Sequence, residues 1–265
     1  MGERAIATAI RKAVATLHSE FSENPWFMES FWPENEHRIR LILRSVLERV
    51  PPPARVLDIG CFNGFLSLLL RLLGYEVLAT DSADLSDREA LFHRHGIVFI
   101  YSNLNTPQPF RSQSPGSFDV AVMGEVIEHI LNHPLGLMKD VARILRKDGL
   151  LILTTPNPST LINAIRILGD AHSLWGTEAF LRSPKIERGK VTDIGDVHFR
   201  EYRTREISAL LQESQFKIRE VRYFAFGIAP RQSMLKRVLK GNPLAATLMR
   251  HRLFGANQYV VATRE

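Results

Sequence analysis

The sequence predicts an α/β chain: a mostly parallel sheet of seven strands with helices on both faces, an antiparallel last strand and a helical cap at the N terminus. Three observations carry that prediction. After the punctuation "PPPAR" (Pro51–Arg55), short apolar runs alternate with helical patterns, which implies βαβ units. The first run, in "VLDIGCFNGF" (Val56–Phe65), stops at an aspartate and breaks into a glycine turn before helical spacing resumes. Two further strand-like runs, in "KIREVRYFAF" and "NQYVVATRE", flank a basic stretch near the end of the sequence. With 265 residues, 45% of them hydrophobic, one substantial core is expected. The expected organisation is a cap over 1–50 and a main domain over 51–265, with insertions at 158–197 and 228–254.

Taken in order, "MGERAIATAIRKAVATLHSEF" has apolar residues at helical spacing with charges of both signs, and reads as an amphipathic helix rather than a secretory signal. Strands are expected at Arg55–Ile59, Glu76–Thr80, Val98–Tyr101, Phe118–Met123 and Leu150–Thr154. Helical patterns lie between them at Phe65–Leu73, Arg88–His95 and Pro134–Leu145, the last followed by "RKDGL", read as a basic last turn with a glycine stop. Ser159 to Val197 forms a long connection containing "LINAIRIL" and "SLWGTEAF", and loops of that length are uncommon unless functional. A helix then resumes in "EYRTREISALLQESQF".

Charge and cysteine usage exclude several classes. The lone Cys61 rules out an intramolecular disulfide framework and fits a reducing cytoplasm. No segment approaches the roughly 20 apolar residues of a membrane span, so a soluble chain is expected. The net charge of +6 is local: from Val221 to Arg264 there is no Asp or Glu, while eight Lys and Arg supply +8. That stretch can face phosphates, an anionic membrane surface or an acidic substrate, or be an ordinary solvated helix face.

The turn Asp58-Ile59-Gly60-Cys61-Phe62-Asn63-Gly64 departs from a dinucleotide fingerprint, because Phe62 occupies the middle glycine position and the third glycine is absent. An acidic strand end followed by Gly60 and Gly64 better suits a ligand with an ammonium group, anchored by Asp58. About twenty residues on, Asp81 ends the second strand, where a carboxylate can accept both hydroxyls of a ribose. A nucleoside carrying an amino-acid tail meets both requirements.

These motifs together resemble the class I S-adenosylmethionine-dependent methyltransferases, over roughly Val56 to Phe226. "VLDIGCFNG" looks like their first motif and "VLATD" like the strand ending on the ribose acid. "SNLNTPQPF…GSFDVAVMGEVIEHI" looks like the segment from the adenine edge to the fourth strand, and "ILRKDGLLILTTPN" like the helix, turn and fifth strand that follow. The resemblance implies a Rossmann-like fold and S-adenosylmethionine as cofactor. It implies that Asp58, Gly60 and Gly64, with Cys61 and Phe62 between them, border the methionine moiety, and that Asp81, with Ser82 beside it, holds the ribose. Asn103 and Leu104 would flank adenine, and Gly124 and Glu125 would lie near the methyl sulfonium.

"GEVIEHI" follows the fourth strand, and a turn of helix there would put Glu125, Glu128 and His129 at i, i+3 and i+4 on one face. Such a set can ligate a divalent ion, or make His129 a general base oriented by Glu128, or serve structure alone. The E-x-x-E-H spacing resembles that of metal-dependent O-methyltransferases, including ubiquinone-pathway and small-RNA enzymes. That implies a metal site (magnesium, manganese or zinc) at Glu125, Glu128 and His129, completed by His198 of "DVHFREYRTREI".

An oxygen acceptor needs deprotonation, which would explain these groups beside the methyl. The expectation is therefore O-methylation of a hydroxyl on a small molecule, glycan or lipid-linked intermediate, in the cytoplasm, with peripheral membrane contact through the basic stretch. RNA ribose 2′-O-methylation and a non-catalytic S-adenosylmethionine-binding regulator are the alternatives.

Overall fold

The computed structural model describes residues 2–82, 89–169, 185–187, 190–193, 198–224 and 250–265. Most of the basic stretch, and the "SLWGTEAF" part of the long connection, lie outside these residues.

Helix α1 (Glu3–Glu20) and helix α2 (Trp32–Arg49) precede the sheet, joined through a π-helical turn at Phe27–Phe31. Strand β1 (Arg55–Ile59) leads to α3 (Phe65–Leu72), β2 (Glu76–Asp81), α4 (Glu89–His95) and β3 (Val98–Tyr101). Strand β4 (Phe118–Gly124), a 3-10 turn at Ile127–His129, α5 (Pro134–Ile144), β5 (Leu145–Pro156) and α6 (Leu161–Leu168) follow. A short antiparallel pair, β6 (Lys185–Glu187) and β7 (Lys190–Asp193), precedes α7 (Thr204–Glu213), β8 (Phe216–Phe224) and β9 (Asn257–Arg264).

Seven strands form one sheet in the order β3-β2-β1-β4-β5-β9-β8. β1 pairs in parallel with β2 and β4, and β4 with β5, whereas β9 runs antiparallel between β5 and β8. The expected antiparallel last strand is therefore inserted inside the sheet, not at its edge.

Alternation along the strands builds two cores. Val56, Val120, Val122, Ile152 and Val261 face α1, α2 and α3, while Leu57, Ala121, Met123, Leu151 and Val260 face α5 and α7. Both faces are covered, so the central strands read as continuous apolar runs. The N-terminal helices share the first core through Ile6, Ile10 and Leu17 of α1 and Ile39, Leu43 and Val46 of α2.

The "RKDGL" segment corrects the sequence reading. Helix α5 stops at Ile144, and Arg146 to Gly149 belong to β5. The reason is pairing: Leu145 already lies opposite Phe118, with a register irregularity between Phe118 and Val120.

Candidate functional site

The strand order reverses between β1 and β4, so ligands belong in the crevice at the carboxyl ends of these two strands. The turn after β1 is tied to β2: Gly60 N–H and Cys61 N–H both donate to the Thr80 carbonyl, at 2.8 and 3.0 Å. Phe62 N–H donates to Asp81 Oδ2 at 2.9 Å, so the carboxylate expected to hold a ribose also shapes the turn.

Both glycines are needed by the turn itself. Gly60 has φ +71°, and a Cβ there would lie 2.4 Å from Val126 Cγ2; Gly64 has φ +74°, and its Cβ would lie 2.4 Å from the Phe92 ring. Phe62, also at positive φ, stands 53% exposed above the turn, with its ring centroid 6.0 Å from that of Trp26. It does not pack under α3. Cys61 is buried and Ser82 exposed.

Asp58 is buried and accepts a hydrogen bond from Ser67 Oγ at 2.5 Å. Burial pushes its pKa from 3.8 up to about 6, against the Ser67 hydrogen bond. The unfolded chain therefore ionises this group between pH 3.8 and about 6 while the folded chain does not, so its contribution lowers stability as pH rises through that window. At about 1.36 kcal/mol per pKa unit the loss is on the order of 3 kcal/mol. Asp58→Asn should abolish this slope. Urea unfolding across pH 4–7 checks it, and parallel pH profiles for the two proteins would refute it.

Gly124 and Glu125 end β4. Glu125 adopts φ 57°, its N–H donates to the Thr154 carbonyl at 2.9 Å, and its carboxylate lies 3.7 Å from Arg38 Nη1 of α2. Burial raises its pKa, with the Arg38 charge opposing. The helix expected through "GEVIEH" is only the 3-10 turn at Ile127–His129. The left-handed backbone at Glu125 removes that residue from the common face.

Glu128 is fully buried. Its Oε2 accepts from Thr155 Oγ1 at 2.9 Å, and its Oε1 has no hydrogen-bond partner among the described residues. Burial, with the Glu125 charge adding, pushes its pKa well above the ordinary carboxylate range.

The Glu128 carbonyl accepts from Phe199 N–H at 2.8 Å and Arg200 N–H at 3.3 Å, which draws the 198–201 segment alongside. The His129 and His198 ring centroids are then 4.9 Å apart, edge to face. His198 Nδ1 lies 3.0 Å from Glu201 Oε1. One ligand atom each from Glu128, His129 and His198 falls within 4.8 Å of the others; Glu125 is not in this group.

At the adenine position, Leu104 is buried, and the Asn103 side chain caps its own turn by accepting from Asn105 N–H. Two cavities are lined by neighbouring segments. A small one, about 70 Å³, is lined by Arg38, Asp58, Gly60, Phe62, Phe65 and Gly124 among others. A larger cleft, about 570 Å³, has an apolar wall of Leu161, Ala164, Ile167 and Leu253 opposite Arg200, Glu201 and Glu206.

Sequence reasoning missed Arg38, Ser67, Thr155 and Glu201. The H-x-x-E spacing of His198 and Glu201 was a usable signal. Arg38 had none, since "RIRLILR" resembles any amphipathic surface helix.

A sequence profile described as a methyltransferase domain matches residues 31–221. Relatives named ubiquinone biosynthesis O-methyltransferase include one from Xanthomonas campestris pv. campestris, 33% identical over 119 residues, or 44% of this chain and 49% of that protein. Another, from Caulobacter, is 30% identical over 153 residues, 54% of this chain and 60% of that protein. The chain thus spans about half the length of the curated relatives it matches. Among solved structures, an S-adenosylmethionine-dependent methyltransferase from Mesorhizobium loti matches 87% of this chain and 97% of its own, at TM-score 0.58 and 19% identity. One from Archaeoglobus fulgidus matches 91% and 100%, at TM-score 0.56 and 16% identity, a likeness of fold.

Proposed function

The chain belongs to the methyltransferase-domain family as a class I S-adenosylmethionine-dependent enzyme, and from that premise we propose that it methylates a hydroxyl oxygen. The observation that carries the reading is the cluster of partly exposed His129 and His198 with Glu201, packed on buried Glu128 just beyond the end of β4. An oxygen acceptor must lose a proton to attack well, whereas a thiolate or a free amine needs no such cluster. The acceptor is a small molecule, and the relatives' names favour a hydroxylated aromatic of the kind met in quinone synthesis, with a glycan or another lipid-linked intermediate as further candidates. A cytoplasmic site of action accords with the lone Cys61.

The residues fit the cofactor's chemistry. Asp58 would face its ammonium group and Arg38, whose buried Nε has no hydrogen-bond partner among the described residues, would face its carboxylate. Asp81 would hold the ribose hydroxyls, Asn103 and Leu104 would border the base, and Gly124 with Glu125 would border the methyl sulfonium. When bound, S-adenosylmethionine supplies a methyl group on an activated sulfur, so that a C–O bond forms as the C–S bond breaks. His129 takes the acceptor's proton. His198 packs edge-on against it, its own ring fixed by Glu201, and buried Glu128 supports the pair. Positioning and exclusion of water supply the rest of the acceleration.

Asp81→Ala should weaken S-adenosylhomocysteine binding by about tenfold to a hundredfold, the worth of a charge-assisted hydrogen bond or two. Asp81→Asn keeps an oxygen for Phe62 N–H and should lose less. Calorimetry measures both, and wild-type affinity in the alanine variant would remove the ribose assignment. The oxygen assignment is tested by methyl transfer from labelled S-adenosylmethionine to hydroxylated aromatics and their amino analogues; labelled methyl ether supports it and labelled methylamine overturns it.

A metal-assisted reading has a specific observation in its favour, the three donor atoms within 4.8 Å. Two imidazoles and a carboxylate suit zinc or manganese better than magnesium, which prefers oxygen ligands. On the base reading, dialysis against a chelator leaves activity unchanged. Loss restored by one of these ions would select the metal reading.

A further inference from the structure

We propose that the face built by α6 and the turn at 250–254 is a docking surface for an anionic lipid membrane. This goes beyond the methylation chemistry and does not depend on it. Helix α6, "LINAIRIL", inverts the pattern of a surface helix: its buried residue is Asn163, while Ile162, Ile165, Ile167 and Leu168 are 57–88% exposed. Leu253 and Phe254, each 37% exposed, extend the patch.

The two pieces are fixed side by side. Leu161 N–H donates to the Leu253 carbonyl at 2.8 Å, and the Asn157 side chain donates to the carbonyls of Arg252 and Gly255 at 2.7 and 2.8 Å. A contiguous exposed aliphatic patch of this kind marks an interaction site.

Charge selects the partner. Arg166, Arg250 and Arg252 are exposed around the patch, and neither 161–169 nor 250–256 contains an acidic residue. In sequence, 225–249 adds Arg231, Lys236, Arg237 and Lys240, again without an acid. Exposed aliphatic side chains with cations and no acid in the two segments that carry them are what an interface of acyl chains and anionic headgroups accepts. Single-stranded nucleic acid would be met by stacking aromatics instead. Position agrees: Leu161, Ala164, Ile167 and Leu253 form the apolar wall of the cleft that reaches Glu201, so the cleft mouth opens beside this face.

The test is cosedimentation of the full chain with vesicles of phosphatidylcholine containing roughly 30% phosphatidylglycerol, and with phosphatidylcholine alone. The expected result is partition onto the anionic vesicles, reversed by high salt. It should weaken at least tenfold in Ile162→Asp/Ile165→Asp and about fivefold per cation in Arg250→Ala and Arg252→Ala. These side chains are exposed, and circular dichroism with S-adenosylhomocysteine binding verifies that the variants stay folded. Absence of partition by the wild type, equal partition onto neutral vesicles, or wild-type partition by the Ile162/Ile165 variant each overturns the proposal. A wild-type dimer that this variant dissociates, with no vesicle binding, would assign the face to a second copy of the chain.

Discussion

His129→Ala should lower kcat by about 10²- to 10⁴-fold, the usual contribution of a positioned general base. S-adenosylhomocysteine affinity should stay near the wild-type value, because the residue lies beyond the turn proposed to hold the cofactor. A residue that served packing alone would shift unfolding midpoints and ligand affinity together with kcat. Added imidazole should restore part of the rate in the alanine variant, and the lost limb of the pH–rate profile should return with it. Glu201→Gln is expected to cost about tenfold, since the amide still reaches His198 Nδ1 but carries no charge. Full activity in His129→Ala would leave the cluster with a structural role.

The second large effect is on stability. Gly60→Ala should cost about 3 kcal/mol: roughly 1–2 for a side chain in the left-handed region and 1–3 for the overlap at 2.4 Å with Val126 Cγ2. The urea midpoint should fall without a change in slope. Val126→Ala in the same chain should recover the overlap part and leave the backbone part, a coupling that a double-mutant cycle reads directly. A loss below 1 kcal/mol in the single variant would mean that the turn yields. Such a turn would be a poor rigid cradle for a cofactor.

Much of the sheet was legible because its determinants are local. Strands β1 and β3 begin and end at the predicted residues, and β2 and β4 run one residue further, since apolar runs bounded by glycine or charge mark them. Strand β5 begins five residues earlier than expected. Its pairing to Phe118 is a long-range fact, and helix-like composition in "RKDG" masks it. Position β9, inserted between β5 and β8, follows from sheet topology and not from any pattern in "NQYVVATRE".

Near the candidate site, the glycine turn after β1 and the acidic end of β2 were legible as backbone features, from one turn and one strand end. The i, i+3, i+4 argument for Glu125 failed because a left-handed residue and a 3-10 turn replace the helix. Arg38 comes from a helix preceding the sheet and reaches Glu125 only through packing of Ile39 and Ile42 against the core. Chain tracing alone does not reveal such a contact.

The most direct test of the account is calorimetric titration of the protein with S-adenosylhomocysteine from pH 5 to pH 8. Asp58, with its pKa at about 6, must ionise to hold the ligand's ammonium group, so ligand binding is coupled to loss of a proton. One-to-one binding is predicted, with affinity rising about tenfold between pH 5 and pH 7 and flat above, and with the slope absent in Asp58→Asn. No binding at any pH would contradict the cofactor site itself; binding with the same affinity at pH 5 and pH 7 would contradict the role given to Asp58.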